Sequence, residues 1–107
     1  MGEFVGYVQE MFAEFGPVQF RKMFGGHGIF CDGLMIGLIA DEMLYLKADA
    51  RSAGRFRERG CPRFSYQKGD KRVSMSYFLA PAEALEDPSE LAVWARLAVA
   101  AAQRARR

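Results

Sequence analysis

Cysteine, histidine and long apolar runs are all scarce in this chain, and each shortage excludes something. Cys31 and Cys61 are the only cysteines and His27 the only histidine among 107 residues. The cysteines share no C-x-x-C spacing, and a structural zinc site needs about four nitrogen or sulfur ligands. No metal and no cofactor is therefore expected. Free thiols fit a reducing compartment. No apolar run approaches the roughly 20 residues of a membrane span. No basic stretch followed by an apolar one opens the chain as a secretory leader would. The expectation is a soluble, cytoplasmic protein with no membrane partner. The net charge of +2 is too small to argue for any partner by itself.

What is present is a core-forming composition. Half the residues are apolar and about a quarter charged, the profile of a globular protein. A chain of this length makes one domain, residues 1–107, able to bury one modest core without staples. Its charge is unevenly spread. Arg51 to Arg72 holds eight Lys or Arg against Glu58 and Asp70, and Glu83 to Glu90 holds four acids and no base.

The organising stretch is Arg21 to Lys47, read as short strands joined by tight turns. Gly25-Gly26-His27-Gly28, Asp32-Gly33 and Asp41-Glu42 are the turn signals; Asp-Gly between apolar runs marks a hairpin because Gly takes positive φ freely. The strands are Val18 to Phe24, Gly28 to Cys31, Leu34 to Ala40 and Met43 to Lys47. Gly37 inside the third suggests a bulge, a bend or a close approach. Strand four alternates cleanly, Leu44 and Leu46 on one face and Met43, Tyr45 and Lys47 on the other.

Helices flank this meander. Phe4, Val8, Met11, Phe12 and Phe15 line one face of a helix from Glu3 to Phe15, stopped by Gly16-Pro17. Asp49 caps a short helix to Arg59 that buries Ala50, Ala53 and Phe56 and ends at Gly60. Arg63 to Gln67 is a strand with Phe64 and Tyr66 on one face. Lys68-Gly69-Asp70-Lys71 turns it back, and in the strand Arg72 to Leu79, Val73, Met75, Tyr77 and Leu79 alternate with the rest. One helical turn, Pro81 to Leu85, precedes a helix from Pro88 to about Gln103. Asp87 caps that helix, Pro88 takes its first position, and Glu90 is placed to reach back to the cap. Leu91, Trp94, Leu97, Ala98, Ala101 and Ala102 form its buried stripe, and Arg104, Arg106 and Arg107 suit its negative end. The fold class is α+β: two layers, a mainly antiparallel sheet with helices on one face, in the order α-β-β-β-β-α-β-β-α.

Arg21-Lys22-Met23-Phe24-Gly25-Gly26, then Gly28-Ile29, Asp32-Gly33 and Leu44-Tyr45-Leu46-Lys47, resemble the N-terminal domain of the TfoX/Sxy family. Pro62 with Phe64 and Tyr66, Met75-Ser76-Tyr77, Pro81, Leu85, Glu86-Asp87 and the Leu91 to Trp94 helix continue the resemblance over nearly the whole chain. The resemblance implies the α+β two-layer fold just read. Full-length members are bacterial regulators of natural competence that act with a cyclic-AMP receptor transcription factor and carry a second, C-terminal domain. The sequence ends at Arg107, so a stand-alone N-terminal domain is expected. The family assigns no catalytic residues to such domains.

The residues themselves offer few chemical centres. The glycines around His27 open a strand, whereas phosphate-binding fingerprints open a helix, so they read as a turn and His27 as a turn residue. Cys31 reads as a small buried hydrophobe. Cys61 lies among Arg57, Arg59 and Arg63, whose charges suggest the lowered pKa a nucleophile needs, and it is expected to be the more exposed thiol. The basic segment with Phe56, Phe64 and Tyr66 looks like a surface for charge and base stacking, although aromatics at alternating strand positions are more economically core residues. The expectation is a non-catalytic regulatory or protein-interaction module, not an enzyme. Its partner is another protein of the transcription-regulator kind or a second copy in a homodimer. A nucleic-acid-binding domain using the basic segment is the alternative, and a small thiol-dependent enzyme the remote one. The candidate surface is Arg21, Lys22, His27, Arg51, Arg55, Arg57, Arg59, Arg63, Lys68, Lys71 and Arg72.

Overall fold

Turn chemistry and strand alternation build the molecule as expected. The computed structural model describes residues 2–23 and 25–106; Phe24, the expected end of the first strand, and Arg107 lie outside them. Along the chain come α1 (Glu3–Met11), β1 (Gln19–Met23), β2 (Gly26–Cys31), β3 (Leu34–Ala40), β4 (Met43–Lys47) and α2 (Ala53–Glu58). β5 (Arg63–Lys68), β6 (Lys71–Leu79), a 3₁₀ turn (Ala82–Leu85) and α3 (Pro88–Arg106) follow. The strands form one antiparallel sheet in the order β1-β2-β3-β4-β6-β5. No helix among the described residues is long and apolar enough to cross a membrane.

The Asp32-Gly33 hairpin has φ of +51° and +80°, and Asp41-Glu42 has +52° and +58°. Both pairs thus take the positive φ that a two-residue hairpin matching the strand twist requires. The glycine cluster differs from its expected role. Only Gly25 turns, at φ +75°; Gly26, His27 and Gly28 already belong to β2. A Cβ at Gly26 would sit 2.0 Å from the carbonyl oxygen of Ile39 on β3, so the glycine is there for close strand approach. Gly37 stands at the bulge where the β2–β3 register shifts, as expected, and its Cβ would lie 3.0 Å from the Tyr45 carbonyl.

The core lies between the helices and one face of the sheet. Val8, Phe12, Ile29, Ile36, Leu44, Leu46, Phe56 and Leu91 are almost completely buried in it. α1 is shorter than its apolar pattern, ending at Met11, yet Phe12 stays in the core with its ring edge-on to Phe15 and Phe20. α2 is short and carries little apolar surface. Ala50 is exposed, and Phe56 does the anchoring, stacked on Phe78 at 5.3 Å and tilted against Trp94 at 4.9 Å. Burying a phenylalanine is worth about 2–3 kcal/mol, enough to hold so short a helix in place. Asp49 Oδ1 accepts the amide hydrogens of Arg51 and Ser52 at its entrance. Gly60, at φ +70°, ends it. Asp87 Oδ1 accepts the Ser89 amide at the start of α3; its own amide bonds the Glu83 carbonyl, so the reach-back expected of Glu90 has no role.

Candidate interaction surface

Alternation gives every strand two sides, and here both are furnished. One set faces the helices. The other is fixed by register: Leu38 lies opposite Tyr45, Lys47 opposite Tyr77, and Tyr66 opposite Val73. Among the described residues no helix covers this second face, and its middle is apolar, with Arg21, Lys47, Lys68 and Lys71 also on it. It presents Met23, Met35, Met43 and Met75, with the rings of Phe30, Tyr45, Phe64, Tyr66 and Tyr77. Phe64 packs edge-on to Tyr45 at 4.8 Å and lies 6.3 Å from Tyr66. Tyr77 is 5 % exposed although it lies outside the helix-side core, and burial pushes its phenol pKa up. Its hydroxyl donates to the Met35 carbonyl at 3.4 Å.

Phe64 and Tyr66 are thus not core residues under the helices, as their alternation suggested; Tyr66 is 39 % exposed. The reason is that alternation tells which residues share a face, not which face the helices cover.

The face is concave. A cleft of about 330 Å³ is lined by Met23 of the edge strand β1, Met35 and Leu38 of β3, and Phe64, Tyr66 and Met75 of the hairpin at the opposite edge. Residues from both edges line one cleft, so the sheet curls towards its helix-free side. The register shift in β5, between Arg63 and Ser65, contributes to that curl. Gly28 supports the floor: a Cβ there would come 2.4 Å from the Met23 sulfur and 3.4 Å from the Met35 methyl. Methionine and aromatic linings adapt to varied apolar shapes.

The basic residues do not form one surface. Arg21 lies on the helix-free face, 4.6 Å above the Phe30 ring. Lys22 pairs in register with His27, which borders the cleft. Lys68 and Lys71 flank the hairpin turn on the helix-free side. Arg51 and Arg55 are exposed around the start of α2. Arg59 pairs with Glu83. Arg57, Arg63 and Arg72 lie on the helix side, the first two over the Phe78 ring. The sheet itself divides the segment. Phe56 is fully buried, and Phe64 and Tyr66 are on the side opposite Arg63 and Arg72. The interleaved charge-and-stacking surface suggested by the sequence is therefore not assembled.

The thiols also differ from expectation. Cys61, expected to be the more exposed, is buried, and Cys31 is half-buried. Burial pushes the Cys61 thiol pKa up, with Arg59 only partly opposing it. Burial raises that of Cys31 too, and the Asp32 charge adds to the rise. Neither environment favours the thiolate a nucleophile needs. The apolar cleft is the feature that reading the sequence missed. Its signal was there in the Met and aromatic residues at alternate positions of β4, β5 and β6.

Residues 10–102 match the TfoX N-terminal domain family. The chain is also similar to the DNA transformation protein TfoX1 of Aliivibrio fischeri (strain ATCC 700601 / ES114), 33% identical over 78 residues. That alignment covers 69% of this chain and 37% of the relative, so the chain spans little more than a third of the curated relative it matches.

Proposed function

The chain belongs to the TfoX N-terminal domain family, and on that premise we propose that it is a non-catalytic interaction module that docks another protein on its helix-free sheet face. One observation carries this reading: the curled, Met- and aromatic-lined cleft to which both edge strands contribute. An α+β sheet that has already buried one face under helices gains nothing in stability from a second apolar face left in water. A partner that covers it recovers that area. The rings of Phe64, Tyr66 and Tyr45 supply the aromatic anchors on which protein interfaces concentrate their energy.

The similar relative is named a DNA transformation protein. We extend that name to a regulatory role in competence for this chain, acting in the cytoplasm on a partner of the transcription-regulator kind. The test is comparative capture from a bacterial lysate. Tyr66→Asp places a charge on the apolar face at a half-exposed position and should abolish retention of a partner that the unaltered protein holds. Arg51→Gln, exposed at the entrance to α2 and away from this face, should retain it. Equal retention by the Tyr66 variant would remove the docking reading.

A further inference from the structure

The hairpin β5–β6 has a second side whose chemistry differs in kind. Register places Arg63, Ser65 and Gln67 of β5 with Arg72 and Ser74 of β6 on the helix side. Arg57 joins them from α2. Each of these side chains can donate hydrogen bonds, and none is acidic or apolar. Phe78, the large apolar side chain at the inner end, is 4 % exposed. Two guanidiniums roof it, Arg57 at 5.8 Å and Arg63 at 6.0 Å from its ring centre.

Two of the guanidiniums are held in place by their Nε atoms. Arg63 Nε donates to the Met75 carbonyl at 2.9 Å, and Arg72 Nε donates to Ser65 Oγ at 3.0 Å. Both bonds leave the outer Nη groups free to donate. Among the described residues, the ion pairs are Arg59 with Glu83 and Arg104 with Asp49. Arg57, Arg63 and Arg72 pair with neither acid, so their charge is available to a ligand.

We propose that this side of the hairpin binds the phosphodiester backbone of nucleic acid. A guanidinium fork matches phosphate geometry, and fixing its Nε reduces the freedom lost on binding. Arg, Ser and Gln are side chains that contact phosphates. A protein partner is disfavoured on this side, because protein interfaces need an apolar or aromatic centre and Phe78 is roofed over. The same absence of an exposed ring removes base stacking, so the contacts are to phosphates and are independent of sequence. The site lies across the sheet from the apolar cleft and does not depend on the docking reading.

The experiment is a titration of the full chain into labelled duplex DNA, followed by anisotropy at several salt concentrations. Binding of order 10⁻⁴–10⁻⁶ M is expected, with a log–log salt slope of about −3 for three phosphate contacts. Replacing Arg57, Arg63 and Arg72 together by Gln should weaken binding by about tenfold or more and flatten the slope. The corresponding Lys triple keeps the charge but not the fork, so it should lose affinity while keeping the salt slope, which separates lost binding from lost folding. Lys68→Gln with Lys71→Gln removes charge from the opposite side and should cost less than about threefold. Three results would overturn the proposal: no binding at low salt, an equal loss from the lysine pair, or binding of polyglutamate as tight as that of DNA. The last would assign this side to acidic polypeptides instead.

Discussion

At Gly26 one hydrogen atom stands where a methyl group cannot. The carbonyl oxygen of Ile39 is 2.0 Å from the position a Cβ would take, and that oxygen is backbone, with no rotamer to yield. Gly26→Ala should cost about 3 kcal/mol, at the top of the range for overpacking. A thermal melt checks this, since each kcal/mol moves Tm by about 4–8 °C at this size. Unchanged melting would mean that β2 and β3 do not approach so closely. In sequence, Gly25 and Gly26 look alike. One is needed for its φ and the other for its missing side chain, and only neighbours distant in the chain distinguish the two needs. The same holds for Cys61. Its arginine neighbours in sequence suggested a lowered pKa, but burial, which sequence proximity does not report, sets the opposite direction.

At the scale of elements, the signals that act locally were legible, although α1 stops at Met11, short of its apolar pattern, and only Gly25 of its glycine cluster turns. Asp32-Gly33, Gly60 and Asp87-Pro88 act within a few residues, and each does what it suggested. What was not legible is how elements are tied together. Asp49 starts the turn into α2, and it also accepts two hydrogen bonds from Arg104, near the end of α3, at 2.6 and 2.9 Å. Those charge-assisted bonds hold the Asp49 carboxyl well below the usual carboxylate range, against the opposing effect of burial. A carboxyl whose pKa is depressed on folding stabilises the fold above its unfolded pKa, about 3.9 for Asp. That contribution is lost as the pH falls from there towards the folded value. Arg104→Ala should therefore lower Tm at pH 7 and make less difference at pH 2.5, as melts across that range would record. An equal loss at both pH values would mean that Arg104 acts by packing alone.

Across the whole molecule, one sheet separates two kinds of surface. The fold class and the order of elements along the chain followed from turns and alternation, but the assignment of faces did not. In β6, Phe78 goes under the helices while Met75 and Tyr77 go outward. That choice is made by Phe56, which stacks on Phe78 and is itself backed by Trp94, each from an element distant in the chain. The eight basic residues from Arg51 to Arg72 share one segment of the sequence and are divided in space for the same reason.

The central claim is that the helix-free face is where a partner docks. Three methionines line its cleft and report on it directly, Met23, Met35 and Met75, with buried Met11 of α1 on the helix side as an internal control. The measurement is methyl NMR of the protein labelled at methionine, before and after addition of a partner captured from lysate. Docking on this face predicts that the Met23, Met35 and Met75 methyl signals shift or broaden while that of Met11 stays in place. Unmoved methionine signals in a saturated complex would contradict the account and move the partner to another surface.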